Sequence, residues 1–141
     1  MRAVGTALVL SLLCASVAWS EDAQQPPERL PELKLALDVT LTTAIAVEAL
    51  KRTFKDPRPD ASDYGFPSGD AALASALARV ASQYHPKQRM LWYLIAGRVA
   101  WSRVKREAHD WEDVIGGAAL GSYIGERAVG NGGILLGQWE W

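Results

Sequence analysis

The chain has 141 residues, with 15 basic and 16 acidic side chains. This length is enough for one compact domain and too short for two ordinary ones. The nearly neutral charge argues against a nucleic-acid-binding protein, which needs a basic surface. The chain has a single cysteine, Cys14, which excludes a fold held together by disulfide bonds within the chain.

The N-terminus has the composition of a secretory signal peptide. Arg2 precedes an apolar stretch, residues 7–18, and small side chains come before the polar sequence EDAQQPPE. We predict cleavage after Ser20, with Ala18 as the alternative, and export to the periplasm or out of the cell. The apolar stretch is short for a membrane span, and an uncleaved anchor is the other interpretation. The predicted parts are a signal peptide (1–20), a flexible segment (21–30) and a helical domain (31–141).

The domain is predicted to be all-α. Its first helix covers residues 31–54, where apolar side chains recur at spacings of three to five: Leu33, Leu37, Leu41, Ile45 and Leu50. A loop rich in Pro, Asp and Gly follows. Three further helices are predicted at 68–83, 87–105 and 110–128. Because no stretch alternates long enough for a strand, we expect a compact bundle of four to five helices.

Two features of the C-terminal part complete the fold prediction. Gly117, Gly121 and Gly125 recur at a spacing of four in the last helix, which predicts a smooth stripe against a neighbouring helix. The tail that follows residue 128 contains four further glycines and is too irregular to assign.

Two groups of residues with possible chemistry lie at the ends of the first loop. Lys51 and Arg58 are cations that bind an anion or simply suit the end of a helix. In the turn PSGD, Ser68 is a good N-cap and Asp70 suits the first turn, so the turn on its own predicts a helix start. The functional interpretation is that the exposed amides of Ser68 and Gly69 hold an anion.

The third group is the sequence SRVKREAHDWED, which contains Arg103, His109 and Asp113. His109 and Asp113 are four residues apart, so they share one face of a helix. A carboxylate bonded to one ring nitrogen leaves the other free to act as a nucleophile. A solvated His109 on a charged turn is the alternative. Together with the cations and amides, the pair has the parts that phosphoryl transfer without a metal requires.

The three groups, in this order and spacing, resemble the type 2 phosphatidic acid phosphatase (PAP2) superfamily, related to bacterial class A acid phosphatases and vanadium haloperoxidases. The resemblance covers residues 45–125 and implies an all-helical phosphatase fold without a cofactor. It implies that His109 forms a phosphohistidine and that Asp113 orients it. The implied phosphate-binding residues are Lys51, Arg58, Ser68, Gly69 and Arg103. The chain looks like a reduced version of a domain that usually has six helices.

One residue departs from the family pattern. The family turn normally ends in a His that acts as general acid, and Asp70 takes its place as the candidate acid here. An ionised Asp cannot donate a proton at neutral pH, and losing a general acid costs about 10²–10⁴ in rate. A phosphate leaving from a diphosphate needs this proton less than an alkoxide does. We therefore expect a phosphatase that prefers diphosphates, including lipid diphosphates.

Other functions remain as alternatives. The foremost is an impaired member of the family that binds phosphate or an anionic lipid headgroup without turnover. A metal site at His109, Asp110, Glu112 and Asp113 is disfavoured because metal phosphohydrolases need several His ligands. A haloperoxidase is disfavoured because that chemistry uses the His that Asp70 replaces. Five tryptophans in the mature chain leave peripheral membrane contact open.

Overall fold

The computed structural model describes residues 29–55 and 64–136. Within these residues the fold is all-α, as predicted, with no strand. The four helices are α1 (Arg29–Phe54), α2 (Gly69–Tyr84), α3 (Arg89–Lys105) and α4 (Trp111–Asn131), and a short 3₁₀ turn, Pro86–Gln88, precedes α3. The predicted signal peptide and the C-terminal residues 137–141 lie outside the described residues.

The helix bounds follow local signals in the sequence. The hydroxyl of Ser68 accepts from the Ala71 amide at 3.5 Å and caps the start of α2. Gly132 ends α4 in the left-handed conformation, with φ of 71°, which costs glycine little. The helix therefore extends three residues beyond its predicted end, and part of the tail that was left unassigned belongs to it.

Helix α2 is the central element and contacts α1, α3 and α4, whereas α1 and α3 do not contact each other. Its closest neighbour is α4, which presents the predicted glycine stripe. A Cβ atom added at Gly121 would lie 2.8 Å from the Ala72 Cα, and one at Gly125 would lie 3.0 Å from the Ala76 carbonyl oxygen. The stripe lets the backbones of α2 and α4 approach directly, as predicted. This contact fixes the start of α4 against the start of α2.

The buried side of α1 is not the one that the leucine spacing indicated. Leu33, Leu37, Leu41 and Ile45 are between 48% and 61% exposed. The buried positions are Leu35, Val39 and Val47, together with the polar Asp38 and Thr43. The predicted helix is confirmed, but its most apolar stripe is exposed, and Leu35 and Val39 are the side chains that pack in the core with Ala76 and Val80 of α2.

The segment after α4 is held by a buried carboxylate on α1. Asp38 is fully buried and accepts backbone hydrogen bonds from Ile134, Leu135 and Leu136 at 2.7, 2.7 and 2.5 Å. Several amide donors satisfy a charge that would be costly to bury alone. Asp38 therefore joins the C-terminal segment to α1.

Two surface properties complete the description. Arg79 of α2 and Glu126 of α4 form an ion pair, and the hydrogen bond from Arg79 lowers the pKa of the Glu126 carboxyl. Across residues 29–55 and 64–136, none of the helices combines the length and the apolar character needed to cross a membrane.

Candidate active site

The turn GFPSG, residues 65–69, is fixed against the start of α4 by close contacts. A Cβ atom added to Gly65 would lie 2.8 Å from the Asp113 Oδ2, and one at Gly116 would collide with the Phe66 ring. The Ser68 amide donates to the Asp113 carbonyl at 2.9 Å. Small residues and a backbone hydrogen bond thus set the distance between the N-terminus of α2 and the first turn of α4.

His109 and Asp113 are in contact, as the spacing indicated, but the pair is buried and His109 lies just before α4 and not on it. Their Nδ1 and Oδ2 atoms are 3.2 Å apart, and the two side chains are 3% and 6% exposed. The same carboxylate oxygen accepts from the Asp110 amide at 3.3 Å, which fixes its orientation. Because a carboxylate accepts, Nδ1 carries the proton and donates it to this bond. Nε2 is left with its lone pair and no partner among the described residues.

One cavity, of about 260 Å³, brings together residues from three separate parts of the sequence. Lys51 reaches it from α1, Gly69 and Asp70 from the start of α2, and His109 from the loop before α4. The remaining lining residues are Thr40, Thr43, Ala44, Val47 and Leu73. The lining therefore combines charged groups with threonine hydroxyls and apolar side chains.

Arg103 is joined to this cavity through Asp70. Its Nε lies 3.2 Å from the Asp70 Oδ2, within ion-pair distance. The contact does not have hydrogen-bond geometry, because the buried Nε–H has no acceptor in the described part of the chain. The Asp70 side chain is 52% exposed and that of Arg103 is 31% exposed. Arg103 thus brings a cation with an unused donor to the edge of the cavity.

The amides that face the cavity differ by one residue from those predicted. The Ser68 amide is committed to Asp113, and Ser68 is fully buried, so this amide is not the exposed donor that the turn suggested. The amides of Gly69 and Asp70 have no acceptor among residues 29–55 and 64–136. These are the first two amides of α2, which have no acceptor within the helix, and they are the ones available to an anion.

Two threonines of α1 line the cavity and were missed in the sequence. The Thr43 side chain is buried, and its hydroxyl has no hydrogen-bond partner within the described residues. The Thr40 hydroxyl donates to the Ala36 carbonyl at 2.7 Å. Both precede Lys51 at helical spacing, so counting back from Lys51 by turns of the helix would have placed them on the same face.

Comparison with known families gives a match for the central part of the chain. The PAP2 superfamily model matches residues 61–128, and no curated protein and no solved structure matches. Residues 61–128, just under half of the chain, are thus similar to the PAP2 superfamily. The matched segment contains Asp70, Arg103, His109 and Asp113, and PAP2 proteins are generally phosphatases.

Parts of the predicted site fall outside the PAP2 match or the described residues. Lys51 precedes the matched segment and nevertheless lines the same cavity as His109. Arg58 lies outside the described residues, so its predicted phosphate contact stays a prediction. No three His, Cys, Asp or Glu side chains cluster as metal ligands in the described ranges.

Proposed function

We propose that the chain is a metal-independent phosphatase that acts through a phosphohistidine at His109, on a lipid-linked or other diphosphate or monophosphate. The observation that supports this most directly is the orientation of His109. Its Nδ1 is bound to Asp113, while the ring lines the same cavity as Lys51 and Asp70. A nucleophile, its orienting carboxylate and a cation thus meet at one cavity.

The proposed reaction has two steps. His109 Nε2 attacks phosphorus, so that the N–P bond forms while the bond to the leaving oxygen breaks. Water then attacks the phosphohistidine and releases phosphate and the free ring. Lys51, Arg103 and the amides of Gly69 and Asp70 offset the charge on the phosphoryl oxygens in both steps.

The ion pair with Arg103 supports a diphosphate preference. The Asp70 carboxylate lies 3.2 Å from the Arg103 Nε, and an ionised carboxylate cannot donate a proton to the leaving oxygen. An alkoxide needs that proton, whereas phosphate leaving from a phosphoanhydride is stable without it. We therefore expect faster cleavage of a diphosphate than of the matching monoester. Equal rates for both on the same protein would contradict this preference.

The apolar side chains that line the cavity support a lipid-linked substrate. They are Ala44, Val47 and Leu73. The exposed Leu37 lies one helical turn from Thr40 on the surface of α1, so apolar surface continues out of the cavity. On this basis the KM should fall as the chain attached to the phosphate is lengthened. Leu37→Ser should weaken that dependence, and Leu135→Ser, in the segment after α4, should leave it unchanged.

The competing function is binding without turnover, and Asp70 is the observation that favours it. Replacing His109 by Ala separates the two, because it removes the nucleophile and keeps Lys51 and Arg103. In a phosphatase, His109→Ala abolishes turnover while inorganic phosphate still binds. A wild-type protein that binds phosphate but turns over no diphosphate or monoester would support the binding function. The assays should contain a chelator, and activity that disappears with it would contradict the metal-independent mechanism.

A further inference from the structure

Helix α3 is apolar on the side that faces away from the other described helices. Its buried residue is Ala96, and α2 is its main neighbour. Five large apolar side chains are between 46% and 60% exposed: Met90, Leu91, Leu94, Ile95 and Trp101. We call these five residues the outer face of α3. The outward side of a helix on a water-soluble domain is normally polar, so this face requires an explanation.

The apolar surface continues from α3 to the start of α4. The rings of Trp101 and Trp111 are 6.1 Å apart at their centroids and tilted by 55°. Both rings are about half exposed, and Ile115, one turn after Trp111, is 61% exposed. Indole side chains at a protein surface prefer the boundary between lipid and water, and here two of them are adjacent.

The charges on α3 and on the turn before it are all positive. Residues 86–106 contain six Lys and Arg side chains and no Asp or Glu. Four of the cations are exposed and have no acidic partner among the described residues: Lys87, Arg98, Lys105 and Arg106. Arg98 follows Leu94 by four residues, and Lys105 follows Trp101 by four, so these two cations lie on the outer face.

We propose that the outer face of α3 docks on the surface of an anionic lipid bilayer. The apolar side chains enter the boundary between headgroups and acyl chains, Trp101 and Trp111 lie at that boundary, and the cations contact the lipid phosphates. The helix lies along the surface and does not cross the bilayer, which agrees with the absence of a spanning helix among the described ones.

Charge complementarity favours a bilayer over a second copy of the chain. A two-fold dimer through this face would bring Arg98 and Lys105 of each copy against the same cations of the other. Helix α3 carries no acid, and the nearest acids in the sequence are Glu107, Asp110 and Glu112, between the end of α3 and the first turn of α4. Like charges facing each other along α3 therefore oppose association. An anionic bilayer suits both properties of the face, because its acyl chains accommodate the apolar side chains and its headgroups attract the positive charge.

Vesicle binding tests the proposal on the full chain. The protein is sedimented with vesicles of phosphatidylcholine alone or of an equal mixture of phosphatidylcholine and phosphatidylglycerol. We expect binding to the mixed vesicles to be stronger by about tenfold or more, and to weaken as salt is raised. Equal binding to both compositions, or to neither, would overturn the proposal. The assay needs no turnover, so its result is independent of the phosphatase function proposed above.

Paired variants locate the surface. Leu94→Ser and Arg98→Glu should each reduce binding to the mixed vesicles at least about fivefold. Leu41→Ser, at an exposed leucine of α1, and Arg127→Glu, at an exposed arginine of α4, are the matched controls and should bind as the wild type does. Helical circular dichroism and the thermal midpoint establish that each variant is folded.

The same variants separate the remaining outcomes. If Leu94→Ser and Arg98→Glu bind as strongly as the controls, another surface carries the contact and the proposal is wrong. A dimer in solution that Leu94→Ser dissociates, without any binding of the wild type to vesicles, would assign the outer face to a second copy and also overturn it.

Discussion

Asp70, which lines the cavity, forms an ion pair with Arg103, and their Oδ2 and Nε atoms are 3.2 Å apart. The Nε–H has no hydrogen-bond acceptor among the described residues, so the pair is held by charge and leaves a buried donor unused. A phosphate in the cavity would supply an acceptor for this donor, and it would also meet the negative charge of Asp70. The substrate and Asp70 therefore compete for Arg103.

This competition predicts that Asp70→Asn binds phosphate more tightly. Asn keeps the size of the side chain and removes the charge that repels a bound anion. We expect the Kd for inorganic phosphate to fall by about tenfold, the size of one nearby charge in a partly solvated site. Calorimetric titration measures it. Glu112→Gln, which removes an exposed carboxylate that does not line the cavity, is the control and should leave the Kd unchanged. A Kd for Asp70→Asn equal to that of the wild type would show that Arg103 is already available.

Asp70→His should restore proton donation to the leaving oxygen. We expect kcat for a phosphate monoester to rise by about tenfold or more, because general-acid help is typically worth 10²–10⁴ in rate. Turnover of a diphosphate should change much less. Asp70→Asn is again the matched control, since it removes the same charge without adding an acid. If Asp70→His gains nothing on monoesters while folded, the carboxyl of Asp70 already serves as the acid.

The sequence predicted the contact between His109 and Asp113 from their spacing of four residues. The contact is present, although His109 lies in the loop before α4 and not on the helix itself. The available amides were displaced by one residue, because the Ser68 amide bonds to the Asp113 carbonyl of another helix. Thr43 was missed although it lies eight residues before Lys51 on α1, a helical spacing that could have placed it on the same face.

The glycine stripe predicts opposite effects for two Gly→Ala substitutions. At Gly121 the new Cβ would lie 2.6 Å from the Ala72 carbonyl carbon, and neither backbone can move away without separating α2 from α4. We expect Gly121→Ala to lower the free energy of unfolding by about 3 kcal/mol. Gly97, in the middle of α3, has open space at its Cβ, and Gly97→Ala should raise stability by about 0.5–1 kcal/mol. Urea denaturation measures both, and equal effects would mean that the stripe is not a tight contact.

The prediction of helices was more reliable than the prediction of which sides they bury. Spacing identified α1 as a helix, but the exposed Leu37 and Ile45 show that the most apolar stripe was not the packed one. Burial depends on the neighbour, and α2 offers a surface rich in alanine. The burial of Asp38 also depends on its neighbours. Its hydrogen-bond partners lie almost a hundred residues later in the chain, so the local pattern could not indicate it.

Asp38 should therefore be among the most sensitive positions for stability. Its carboxylate is fully buried and accepts three amide hydrogen bonds from residues 134–136. In Asp38→Asn the negative charge is lost. One accepting oxygen is also replaced by an NH₂ group, which is a donor and would face a backbone amide that is itself a donor. We expect the free energy of unfolding to fall by about 2–4 kcal/mol, because charge-assisted hydrogen bonds of this kind are worth more than neutral ones.

The control for Asp38 lies on the same helix. Glu48 forms an exposed ion pair with Arg52, so Glu48→Gln makes the same chemical change at the surface and should cost less than about 0.5 kcal/mol. Urea denaturation of both variants gives the comparison. Similar small losses for the two would show that the segment after α4 contributes nothing to the cooperative unit. A large loss confined to Asp38→Asn would show that this segment unfolds together with α1.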